Sequence, residues 1–127
     1  MDIDRIIQEK FTSSFMNDSK WDKLIETLTD KLDEIFVNYK LIHDDKIHFT
    51  SFETPDFKLF FIEPTFYKEV EWIEFPKTFN IEQNKRTTRK YIKEQKQDID
   101  SIEKIINQIG KFMIEKEDNS IKLYAYR

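Results

Sequence analysis

The residues best equipped for chemistry cluster in the run His43-Asp44-Asp45-Lys46-Ile47-His48, which holds both histidines of the chain. Imidazoles beside carboxylates are what a zinc or non-haem iron site uses, and a tight turn would bring His43 and His48 near each other. Two histidines are too few ligands for such a site, and Asp44-Asp45 has the composition of a polar turn. No metal and no cofactor is therefore expected. A second set of candidates is the carboxylates Glu63, Glu69, Glu71 and Glu74. Acid-base work needs one of a pair desolvated so that its pKa rises. With 25 Asp+Glu in the chain, close pairs arise by chance alone, so no catalytic residue is assigned.

Around these glutamates lies "YKEVEWIEFP", Tyr67 to Pro76. Read as a strand, it puts Val70, Trp72 and Glu74 on one face and Glu71, Ile73 and Phe75 on the other. Neither face is purely polar, and charge cannot be hidden cheaply. Aromatic anchors in a polar rim are what protein interfaces use. Glu69, Glu71, Trp72 and Glu74 are accordingly the candidate partner-binding residues, set against the alternative of an edge strand that glutamates keep from aggregating. The third charged feature is basic. Residues 1–80 carry a net charge of −7, residues 81–97 of +4 and residues 98–127 of −1. Segment 85–96 contains Lys85, Arg86, Arg89, Lys90, Lys93 and Lys96, with Tyr91 as a ring on which a base could stack. The acidic balance of the whole chain, −4, opposes approach to nucleic acid.

Composition removes other functions. One glycine, Gly110, leaves no phosphate-cradling loop and no Gly-x-Ser-x-Gly nucleophile elbow. The absence of cysteine removes disulfides, thiolate metal sites and a thiol nucleophile. The chain opens on acidic residues where a secretory signal needs basic ones, and no run approaches a membrane span. A cytoplasmic location is the default expectation. At 127 residues and 15% aromatic content the chain suits one domain, 1–127, with a ring-rich core.

The elements that must position these side chains are read from periodicity. Ile3, Ile6, Ile7 and Phe11 have helical spacing, as do Trp21, Leu24, Ile25, Leu28 and Leu32. Asn17 is placed to cap the second helix, with Met16 and Trp21 as a hydrophobic staple. "EIFVNYKLI", "KIHFTSF", "DFKLFFI" and "EVEWIEF" read as four strands in a meander. Residues 77–97 show no clean period. Ile99, Ile102, Ile106 and Ile109 define a third helix, with Asp100 and Glu103 as a capping box and Gly110 as a left-handed C-terminal cap. "KFMIEKE" and "SIKLYAYR" form a hairpin through Asp118-Asn119, with Phe112, Ile114, Ile121, Leu123 and Ala125 inward and Tyr124 and Tyr126 on the opposite face. Segregated helices and strands predict an α+β fold: a mainly antiparallel sheet packed by two N-terminal helices and one later helix.

"SSFMNDSKWDKLIETL", "EWIEFP" and "SIKLYAYR" resemble elements of a family of small uncharacterised bacterial proteins that open with Met-Asn-Asp/Asn-x-Lys-Trp. The resemblance touches the middle and both ends of the chain, outside residues 1–12 and 77–97. It implies a shared fold and supplies no catalytic residue. By analogy of size, acidity and fold class, immunity proteins that neutralise toxins are the nearest functional type. The expectation is a non-enzymatic protein-binding or neutralising role, in which an acidic-aromatic face occludes a protein partner of basic character. The alternative is a nucleic-acid-binding module built on residues 85–96.

Overall fold

The computed structural model describes residues 2–32, 34–52, 67–84 and 90–127. Helix α1, Ile3–Lys10, begins where the Asp2 carboxylate accepts the Arg5 N–H. Helix α2, Asp18–Leu32, begins at Asn17, whose side-chain oxygen accepts the Lys20 N–H at 2.8 Å. The expected cap is thus made, with Trp21 buried beneath it and Met16 packed on the same core. Strands β1, Ile35–Leu41, and β2, Ile47–Phe52, follow. A single 3-10 turn at Tyr67–Glu69 leads into β3, Val70–Pro76. Next come β4, Thr78–Asn84, β5, Lys90–Lys96, helix α3, Ile99–Ile109, and the hairpin β6, Ile114–Lys116, and β7, Ser120–Tyr124.

The fold is α+β and antiparallel, but it is not a meander. The five-stranded sheet runs β2-β1-β3-β7-β6, so β1 pairs with β3 directly. The expected strand "DFKLFFI" lies outside the described residues, as does Glu63. Residues 77–97, without a clean period, contain a separate two-stranded ribbon of β4 and β5. Its strands pair with each other and with no other described strand.

The helices cover one face of the sheet. Trp21, Leu24, Ile25 and Leu28 of α2 and Ile99, Ile102, Ile105 and Ile106 of α3 share a core with Val37 and Tyr39 of β1, Ile73 and Phe75 of β3, and Ile121 and Leu123 of β7. Burying a branched aliphatic side chain is worth about 1.5–3 kcal/mol, so the isoleucine stripe of α3 is what holds that helix down. Two local expectations need correction. Asp98, not the Asp100–Glu103 pair, caps α3: its carboxylate accepts the Ser101 N–H and hydroxyl at 3.1 and 2.7 Å. Asp100 and Glu103 instead receive the Lys116 ammonium, which ties the helix to β6. Gly110 has φ 166°, which is extended backbone and not the left-handed cap.

Tyr126 also departs from expectation. It is buried, stacks on Phe11 with ring centroids 5.3 Å apart, and donates its hydroxyl to the Lys68 carbonyl. Strict alternation fails after Tyr124 because the Ala125 and Tyr126 N–H groups both donate to the Glu71 carbonyl. Ala125 itself is inward, as expected.

Candidate functional site: the outer face of the sheet

The alternation problem of "EVEWIEF" is resolved by a bulge. In the β1–β3 register Lys40 lies opposite Trp72 and Leu41 opposite Val70, which leaves Glu71 as the extra residue. The slip turns Val70 inward with Ile73 and Phe75, all fully buried. Glu71, Trp72 and Glu74 are left together on the outer face. The sequence expectation had placed Val70 with Trp72 and Glu71 with Phe75. The bulge is why this strand can be apolar on its core side despite its two glutamates, Glu71 and Glu74.

The same registers assemble the rest of that face. Phe36, Asn38 and Lys40 of β1 lie opposite Ser51, Phe49 and Ile47 of β2. Glu74 lies between Asn38 and Lys122, and Trp72 between Lys40 and Tyr124. The charges are matched across strands. Lys40 Nζ is 3.0 Å from Glu71 Oε1, each side chain 18% exposed. The Asn38 amide donates to Glu74 at 3.3 Å. The Lys122 ammonium sits 4.0 Å from the centre of the Trp72 ring, and the Arg127 guanidinium 4.5 Å from that of Tyr124. Arg127 also pairs with Glu115. Burial, ahead of the nearby Glu115 charge, raises the Tyr124 hydroxyl pKa above its ordinary value.

The four candidate residues thus have distinct surroundings. Trp72 is buried under its cation, Glu71 is neutralised, and Glu74 is held by an amide. Glu69 precedes the strand; its carboxylate meets His43 Nε2 at 3.3 Å and its carbonyl accepts the Ile42 N–H. What the sequence reading missed is apolar. Ile47 and Phe49 are 64% and 46% exposed, the exposed large hydrophobics among the described residues. Phe36 stacks on Phe49 at 6.0 Å and on Phe79 of β4 at 4.3 Å. The period-2 spacing of Ile47 and Phe49 was a legible signal; the approach of Phe79 was not.

The histidines do not converge. His48 Nε2 is 2.8 Å from Asp44 Oδ2, and its ring stacks on Tyr39, whereas His43 turns to Glu69. The Lys46 N–H and His48 together hold Asp44 below its ordinary carboxylate pKa. Among the described residues no group of three or more His, Cys, Asp or Glu is placed to hold a metal ion. A cleft of about 370 Å³ lies between Lys77, Asp98, Asp100, Lys116 and Asp118. Its Asp100 is already paired with Lys116. Of the basic segment, Lys85, Arg86 and Arg89 lie outside the described residues, and Lys90 to Lys96 form β5.

Helices on one face of an antiparallel sheet, and a mixed aromatic and charge-paired surface on the other, define an α+β protein. Among the described residues no helix is long and apolar enough to cross a membrane. The chain belongs to a family of unknown function (DUF6678), which matches residues 3–127. The match includes residues 77–97 and nearly all of 1–12, which the resemblance of shorter motifs had left out. No curated protein and no solved structure matches the chain.

Proposed function

We propose that the protein is a binding module that takes up a protein partner on the outer face of its sheet and acts by occlusion. The observation that carries this reading is the exposure of Ile47 and Phe49 on the same face as Trp72 and the paired glutamates. Apolar area left in water forgoes about 25 cal/mol per Å². An apolar centre within a polar rim is the anatomy of an interface. Phe36, Ile47, Phe49 and Phe79 supply the centre. Lys40–Glu71, Asn38–Glu74 and Lys122 supply the rim. An immunity-type neutralising role is one in which covering a partner's surface is the whole task, and such a face suffices for it.

The matched rim changes the electrostatic part of the expectation. Since Glu71 already faces Lys40, and Glu74 faces Asn38 and Lys122, the rim gives register and specificity more than long-range attraction. The association rate should therefore depend only weakly on salt. The test places a photo-crosslinking residue at position 49, and at exposed Lys104 on α3 as control, in the native host. A protein crosslinked from position 49 alone, competed by untagged chain and lost with Ile47→Asp plus Phe49→Asp, supports the reading. Equal capture from both positions, or unchanged binding by the double variant, refutes it. A steep salt-dependent shift on RNA or DNA would favour the basic segment instead.

A further inference from the structure

Helix α1 is seated differently from the other two helices. Helices α2 and α3 bury five and four residues, whereas none of the eight residues of α1 is buried. Its stripe of Ile3, Ile6 and Ile7, continued by Phe11, is only partly buried against the core. A helix this short is marginal in water by itself, and its Arg5–Glu9 pair is too exposed to change that. Docking and helix formation are therefore one event. Contacts at both ends of the helix identify the seat. The Phe11 ring stacks on Tyr126 at 5.3 Å, the Lys10 ammonium donates to the Ile42 carbonyl at 3.0 Å, and the Lys68 ammonium lies 3.7 Å from the Asp4 carboxylate. Burial, and after it the Asp4 charge, raises the Tyr126 hydroxyl pKa above its ordinary value. The chain just past the helix is fixed by its backbone. The Thr12 and Ser13 N–H groups donate to the Arg127 carbonyl, the Arg127 N–H to the Ser13 carbonyl and the Phe15 N–H to the Ala125 carbonyl, around a bridge of Ser14 with Tyr126.

We propose that α1 is a lid that lifts from its seat as one unit about the junction of Phe11 and Thr12, uncovering the Tyr126 ring while the Ser14–Tyr126 bridge holds. Seated, it shields Tyr126 and turns its apolar stripe to the core. Lifted, it loses its helix, and Ile3, Ile6, Ile7 and Phe11 enter solvent beside the uncovered ring. This is a local order-to-disorder step drawn from the low-stability end of the fold. It involves neither Ile47 nor Phe49, so it stands or falls apart from the function proposed above.

Residue-resolved amide exchange under native conditions tests it. In the parent chain, the amides from Ile6 to Phe11 should share one protection factor, at least about tenfold below those of the α2 and α3 cores, through an opening insensitive to low urea. Phe11→Ala, which removes the stack on Tyr126, should lower the protection of Ile6 to Lys10 together by about tenfold and leave α2 and α3 unchanged; Phe11→Tyr should restore the parent pattern. Lys10→Met, which removes the bond to Ile42, should act in the same direction as Phe11→Ala. Protection that falls off gradually from Phe11 to Ile6 would mean fraying in place and would overturn the lid. So would α1 amides that exchange only with α2 and α3, or a Phe11→Ala effect confined to the residues next to position 11 or spread equally over α2.

Discussion

Gln97 offers the sharpest perturbation. The β1–β3 ladder closes at Asn38 and Glu74, and the next pair would be Phe36 with Pro76. Proline has no N–H to donate, so the Phe36 carbonyl cannot be satisfied by β3. The Gln97 carboxamide takes the place of the missing peptide group, accepting from Phe36 N at 3.2 Å and donating to the Phe36 and Pro76 oxygens at 2.9 and 2.7 Å. Removing it leaves one donor and two acceptors without these bonds in a partly buried seam. An unsatisfied buried group costs about 1–3 kcal/mol, and water reaching the seam recovers part of that, giving about 2–3 kcal/mol in all. At about 2.1 cal/mol/K of unfolding entropy per residue, a chain of 127 residues should lose about 7–11 °C in Tm. Gln97→Met keeps the volume and removes the bonds, so it should match Gln97→Ala. The assay is urea unfolding followed by the fluorescence of Trp21 and Trp72, with amide exchange at Phe36 as the local readout. If both variants stay within about 0.5 kcal/mol of the parent and Phe36 keeps its protection, the carboxamide is not what closes the seam.

Four further outcomes are expected. Asn17→Ala should cost about 1 kcal/mol through loss of the α2 cap, and Trp21→Ala about 3–5 kcal/mol through the cavity it leaves, both read by denaturant midpoint. Hydrogen bonds from Ser101 hold the Asp98 carboxyl below its ordinary pKa. Its stabilising effect is thus present above the unfolded value of about 3.9 and is lost as pH falls through the lower folded value. Asp98→Asn should accordingly flatten part of the acid limb of Tm against pH, and an identical limb would contradict the cap. Gly110→Ala should be near neutral in thermal melting, because the backbone there is extended and an added Cβ meets only the Phe112 ring at 4.0 Å. Glu71→Lys sets two ammonium groups together in a site 18% exposed; it should destabilise by more than Glu74→Lys, and Lys40→Glu should rescue it in a double-mutant cycle.

The sequence by itself determined what depends on near neighbours. The stripe from Trp21 to Leu28, the Asn17 cap, the isoleucine face of α3 and the hairpin at Asp118-Asn119 are all short-range patterns, and each is present. The α+β class followed from their order. Tertiary structure decided what depends on partners distant in the chain. A strand's period of 2 says which residues alternate, but a single bulge at Glu71 reassigns Val70 from the face of Trp72 to the core, and only the β1 and β7 registers reveal it. Sheet order was equally hidden, because the hydrogen-bonding edges of β1 are chemically alike and burial of side chains, not local propensity, selects β3 as its neighbour. The glutamates were legible as a cluster; their partners were not, since Lys40, which pairs with Glu71, and Asn38, which donates to Glu74, come from another strand. Ribbon β4–β5 escaped the reading for the same reason. Its strands pair with each other, and the role of Phe79 is visible only beside Phe36 and Phe49, which come from other strands.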